Sequence, residues 1–238
     1  MKAVRISFYR MLRQMKGDAM LVMIAAVPFL MGILFRFGIP LAEKLLMDHF
    51  GLQEILAPYY ALFDMFLVIM TPSMFSYAAA MVMLDESDDH IVAYLSVTPL
   101  GKAGYLFSRL GLTGLIAFVV GVGAGLLFQL SDMGLLLLVG TAFAGTLQSI
   151  ITAMLIVAFS KNKVEGMAVG KLTSLLSMAA LAPFFVGGNA QFIALVFPSF
   201  WIGKSVRSGG YYPLIISVLS SFLWIVLLYN KFIRKITR

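Results

Sequence analysis

The residues of this 238-residue chain that could do chemistry are few: 11 Asp and Glu, two His and no Cys. The densest group lies in "MLDESDDHIVAYLSVTPLGKAGYLFSRL", residues 81–108, where Asp85, Glu86, Asp88 and Asp89 fall within five positions. Such a cluster could hold a hard cation, which takes several carboxylate oxygens. It could equally open a helix, because acidic residues in a first turn favour the positive end of the dipole. No EF-hand spacing accompanies it, so the helix start is the better reading and no metal site is expected. His49 and His90 form no HExxH pair, and the lack of cysteine excludes disulfides and thiolate metal sites.

Three Gly-Lys pairs invite a search for a phosphate loop: Gly101-Lys102, Gly170-Lys171 and Gly203-Lys204. That loop needs a glycine five positions before the second one, so that backbone amides can curl around phosphate. Ser96, Glu165 and Pro198 stand there instead. The chain is expected to carry no ATPase, no catalytic residue and no bound cofactor of its own. Asp64 is the one carboxylate well inside an apolar run, and ionisable groups there are functional candidates by default. It lies roughly 9 Å from the end of its run at 1.5 Å per residue. An aqueous outer vestibule or a pairing with Arg36 is the favoured reading.

These residues must be positioned by apolar elements. The chain is 61% hydrophobic and 12% charged, with a mean hydropathy of +0.96. A soluble domain is about 25% charged, so the composition indicates an all-α polytopic membrane protein, residues 1–238 forming one transmembrane domain. Six runs are long enough to span: Ala19 to Phe35, Pro58 to Leu84, Leu110 to Leu130, Met133 to Phe159, Met167 to Val186 and Tyr211 to Tyr229. Residues 189–204 are apolar but too short to cross, Pro198 interrupts them and Trp201 suits an interface. They are expected as an outer re-entrant or lying segment. Gly121 and Gly125, and Gly166 and Gly170, have the spacing that lets helices approach closely.

The formal charge is +7, and its placement argues against nucleic acid. Lys2, Arg5, Arg10, Arg13 and Lys16 precede the first span; Lys231, Arg234, Lys235 and Arg238 follow the last. With Lys102, Arg109, Lys161, Lys163 and Lys171, fourteen of the 18 basic residues fall on one side. By the positive-inside rule both termini are cytoplasmic in a plasma or inner membrane. Arg109 and Lys171 are expected to snorkel at inner ends. Residues 1–17 read as an amphipathic helix lying on the bilayer, with Val4, Phe8, Met11, Leu12 and Met15 in one sector and Arg5, Arg13 and Lys16 opposite. After the acid cluster, Ile91, Tyr94, Leu95 and Thr98 recur at a helical spacing. Pro99 then breaks the helix, since the residue before a proline avoids that conformation. Residues 85–100 thus read as a short cytoplasmic helix with an apolar stripe that something must bury.

This arrangement resembles the permeases of type-2 ABC transporters. The closest likeness is the acidic segment after span two, Asp85, Glu86 and Asp88, running through the stripe to Val97-Thr98-Pro99-Leu100 and Tyr105. Within that family it looks most like small drug-export permeases, including fluoroquinolone-type ones. "FPSFWIGKSVRSG" is similar to the family's proline-aromatic outer segment, while His90 stands where members often have glycine. The resemblance implies that Asp85, Glu86, Asp88, Ile91, Tyr94, Leu95, Thr98 and Pro99 form a coupling helix seated in a separate ATPase subunit. It implies an interfacial helix, with Arg5, Phe8, Leu12 and Arg13, bracing that subunit. Two permease chains, the same or paralogous, would pack with two ATPase copies that bind the ATP and Mg.

The expected function is therefore the permease of an ATP-driven exporter for an amphipathic drug, peptide or lipid. Phe63, Asp64, Met70 and Phe75 are candidates for its pathway, methionine-rich surfaces being adaptable. A secondary transporter would need several midplane charges and paired broken helices. An intramembrane enzyme would need a span with a histidine or two carboxylates, and no expected span has either. A non-ABC membrane scaffold is the remaining alternative.

Overall fold

The chain is described by a computed structural model over residues 2–51, 54–89, 91–96, 98 and 100–236. Pro99, an expected coupling residue, lies outside the described residues. Helix α1 (Lys2–Gly17) ends at Asp18, whose carboxylate accepts hydrogen bonds from the Met20 and Leu21 backbone N–H at 2.9 and 3.4 Å. That is an N-cap, and it starts α2 (Ala19–Ile33). A π turn at Leu34–Gly38 carries α2 directly into α3 (Ile39–Phe50). The first span therefore does not stop near Phe35. The helix runs on instead as far as Phe50.

Helix α4 (Tyr60–Asp88) is 29 residues long. Then come α5 (Ile91–Ser96) and α6 (Gly101–Leu106), and a second π turn at Phe107–Gly111 leads into α7 (Leu112–Phe128). Helices α8 (Leu135–Phe159) and α9 (Lys163–Met178) follow, then α10 (Ala182–Phe185). A 3-10 stretch (Gly188–Val196), α11 (Pro198–Ser208) and α12 (Tyr212–Ile236) complete the chain. Among the described residues there is no strand, and six helices are long and apolar enough to cross a membrane.

Burial separates a centre from a rim. In α4 and α8, 72% and 78% of the most apolar window is buried, against 17–33% in the other four spans. Both glycine pairs dock on α4. A Cβ on Gly125 would come within 2.8 Å of Val68, and one on Gly170 within 2.4 Å of the Tyr77 ring, so side chains there would force α7 and α9 off their neighbour. The rim helices turn Leu126, Leu127, Leu172, Leu175, Leu223 and Leu227 outward, the apolar belt a multi-pass protein presents to lipid.

Two core clusters divide the bundle along its length. One, at the end that holds the termini, joins Met11, Leu21, Met81, Leu84, Ile156 and Phe232. The other, at the far end, joins Met65, Ile69, Leu138, Ile202 and Leu214. The segment expected at 189–204 forms the 3-10 stretch and part of α11, which runs on to Ser208 and wedges against α4, α8 and α12. Phe200 and Ile202 are fully buried, and Gly203 lies so close to the Ala180 carbonyl that a Cβ would sit 2.0 Å from it.

The apolar sector of α1 is occupied by protein. Met11 and Met15 are buried, and Val4, Phe8 and Leu12 pack beside them on the core, while Arg5 and Arg13 stay exposed. The helix rests on α2, α4, α6 and the second π turn.

Candidate functional site

The acid cluster is not a helix start. Helix α4 continues through Asp85, Glu86 and Asp88, which places these carboxylates at the negative end of a helix dipole, the less favourable end. The expected helix opening at residue 85 is thereby corrected. Its acidic half belongs to α4, and only Ile91–Ser96 forms a separate helix. Specific cations supply what the dipole does not.

Glu86 is the inward member, 4% exposed. It faces Arg109, which the second π turn carries and which is 1% exposed. The guanidinium donates from Nε to Glu86 Oε2 at 2.9 Å and from Nη2 to Oε1, a two-pronged pairing. Tyr105 Oη, also buried, donates to Oε2 at 2.8 Å. The remaining Nη1 donates to α1, reaching the Ser7 carbonyl at 3.0 Å and Ser7 Oγ at 3.1 Å. One arginine thus fastens the end of α4, the entry to α7 and the middle of α1. Buried ions need partners for every lone pair and proton they bring, and this clasp provides them.

A second ionic knot lies beside it. Lys163, first residue of α9, donates to Asp18 Oδ2 and to Asp85 Oδ2, each at 2.9 Å. Its hydrogen bond holds the Asp18 carboxyl below the usual carboxylate range, against the upward push of partial burial. Asp88 and Asp89 are exposed. The four acids therefore point in different directions, and among the described residues no three metal-ligating side chains come together.

The apolar stripe lies against α1. Ile91, Leu95, Thr98 and Leu100 line an open groove of about 370 Å³ with Ala3, Ile6, Arg10 and Gln14, and Glu86 and Arg109 form its floor. Thr98 builds the turn, donating from Oγ1 to the Leu95 carbonyl at 2.7 Å. Tyr94 projects away from the bundle at 73% exposure.

The pathway candidates are not brought together. Phe63 packs edge-on against Phe35, their centroids 5.5 Å apart. Asp64 is 2% exposed and does not meet Arg36. Its oxygens accept from the backbone N–H of Leu130 at 2.8 Å, and from the N–H and hydroxyl of Ser131 at 2.7 and 2.6 Å. Arg36 donates instead to the Gln129 carbonyl of the same loop. Phe75 sits a helix-half away, in a groove beside α1 and α2, and Met70 lies half-buried between the two.

Sequence reasoning missed Arg109 as a clasp residue, together with Ser7, Asp18 and Lys163. Arg109 does not snorkel. With its span beginning at Gly101 rather than Leu110, it stands roughly 12 Å into a helix, deep enough to demand a counter-ion. Glu86, on the far limb of the same connection, was the available signal.

No solved structure matches the chain. It is 25% identical over 191 residues to the fluoroquinolones export permease protein MT2760 of Mycobacterium tuberculosis (strain CDC 1551 / Oshkosh), covering 79% of this chain and 75% of that protein. The same figures hold for the fluoroquinolones export permease protein Rv2686c of strain H37Rv. The family model for fluoroquinolones export permease protein Rv2686c-like matches residues 11–229. That match spans nearly the whole chain and reaches into all six of its candidate membrane-spanning helices, and the chain belongs to the Rv2686c-like fluoroquinolones export permease family.

Proposed function

We propose that this chain is the membrane-spanning permease subunit of an ATP-driven exporter of the type-2 ABC class. Two copies of a separate ATPase subunit bind ATP and Mg, and a second permease chain, the same or paralogous, completes the pathway. The termini and the segment 91–100 face the cytoplasm in a plasma or inner membrane, and residues 189–204 form an outer, partly re-entrant cover. The substrate is an amphipathic drug of the fluoroquinolone kind, as the names of the two relatives suggest.

The observation that carries this reading is the fastening of α5 and its turn. The segment is flanked by α4 and α6, whose ends the Glu86–Arg109 clasp joins to each other and to α1. A subunit that seizes Tyr94 and the mouth of the groove would move α1 and the ends of α4 and α7 as one piece. Rigid-body motion of that kind is how such machines switch. Glu86 takes no part in docking; it holds the handle to the helix. Asp85 likewise serves the Lys163 knot, so the docking face consists of Tyr94, Ile91 and the exposed side of α1, including Arg5. Asp64 has its oxygens occupied by three donors, which disfavours it as a coupling-ion site and with it the secondary-transporter reading.

Co-purification of an ATPase subunit with this chain tests the proposal. Leu95→Glu is expected to abolish the complex or to uncouple hydrolysis from export. Tyr94→Ala, at an exposed position that folding does not need, is expected to weaken ATPase retention. Normal assembly and drug export in both variants would refute the docking role.

A further inference from the structure

A second groove, of about 720 Å³, opens between α1, α2 and α4. Its walls are apolar, with Leu21, Val22 and Ala25 from the first turns of the first span and Phe75 from α4. Its rim is basic, because Arg13 and Lys16 stand one turn apart on the same edge of α1. Both are exposed, and among the described residues the ion pairs use Arg109 and Lys163 instead. Among the described residues no carboxylate lines the groove. Its size is that of a small-molecule site, and it lies beside the start of the first span at Ala19.

We infer that this groove binds one anionic phospholipid, its phosphate held by Arg13 and Lys16 and an acyl chain lying along Val22, Ala25 and Phe75. Charge complementarity selects this occupant. A purely apolar partner would leave two cations unused, whereas a basic rim above an apolar wall between helices matches the two halves of a phospholipid. Arginine adds a planar, two-pronged grip on phosphate. The site makes Phe75 a lipid contact rather than a pathway residue and seats a lipid against α1, on the side of α1 away from the clasp groove.

Native mass spectrometry of the full-length chain in detergent, titrated with palmitoyl-oleoyl phosphatidylglycerol or phosphatidylcholine, tests this. The wild type is expected to retain one phosphatidylglycerol with about ten- to thirtyfold preference, given two basic contacts. Arg13→Gln with Lys16→Gln should erase the preference. Ala25→Trp, which fills the wall, should reduce retention of both lipids. Arg5→Gln with Arg10→Gln removes equal charge elsewhere on α1 and should leave the preference intact. The inference is overturned if the wild type shows no preference, if the control pair erases it equally, or if the groove variants retain lipid as the wild type does. It is likewise overturned if they alter only the oligomeric state, which would assign the groove to a second copy of the chain.

Discussion

The two ends of α4 are fastened by opposite means. Near its start, Asp64 grips a loop through backbone amides and a hydroxyl of adjoining residues, and the nearby arginine serves the same loop through a carbonyl. Near its end, Glu86 is gripped by a guanidinium and a phenol, and through that guanidinium by α1. Asp64 thus ties the far end to a single loop, the one between α7 and α8. The terminus-side end is tied to two separate helices, α1 and the α6–α7 stretch, around one ion pair. A loop held by one carboxylate fixes a shape, while a shared cation links pieces that must travel together.

The sharpest way to break that contrast is to remove Arg109. Arg109→Met strands a buried carboxylate, at an expected cost of about 3–5 kcal/mol, seen as loss of the monodisperse species and a fall in Tm. Joining it to Glu86→Leu should recover most of that loss, since an apolar pair can replace a buried ion pair. If the double variant is as unstable as the single, the clasp is not the source.

Next in size, Asp64→Ala leaves two amides and a hydroxyl without their acceptor in a part-buried loop that water can reach, at an expected total of about 3 kcal/mol. The damage should be confined to the far end, with hydrogen exchange accelerating at residues 129–134 and not in α1. Equal acceleration at both ends would erase the distinction drawn above. A smaller effect is expected from Tyr105→Phe, which removes one charge-assisted hydrogen bond of about 1.5–3 kcal/mol and leaves the Arg109–Glu86 pairing in place.

The smallest effect belongs to the Lys163 knot, which is partly solvated and worth about 0–1 kcal/mol. The folded Asp18 carboxyl titrates below its ordinary value of about 3.9. Its contribution is therefore complete above the unfolded value and is lost as pH falls through the lower folded one. The stability gap between wild type and Lys163→Met should be widest at neutral pH and close on acidification below about pH 4. A gap that widens in acid would contradict the pairing.

Much of this architecture was legible in advance because it follows from long apolar runs and small-residue spacing, which depend on neighbours in sequence. The span beginning at Ala19 and the docking of Gly121, Gly125, Gly166 and Gly170 are of that kind. The continuation of α4 through three acids, Asp85, Glu86 and Asp88, was not. Local propensity favours a break there, and only Arg109 and Lys163, distant in sequence, neutralise the charges that would end the helix. The same distance hid Asp64, whose partners are backbone amides that no pattern of side chains announces. Ile91–Ser96 was readable as a short helix, but Ile91 and Leu95 were not readable as one wall of a groove whose other wall is α1.

The turn that carries Arg109 has a wider pitch than the helix on either side. A π turn holds one spare residue wound into the ladder. Deleting Leu110 would let the ladder close into a regular α-helix and swing everything before it by about 100° relative to α7. The guanidinium would then face outward, and Ser7 and Glu86 would lose their common partner. A length change of one amino acid at that place should therefore do what no single side-chain replacement does: leave every functional group in the chain and undo their meeting.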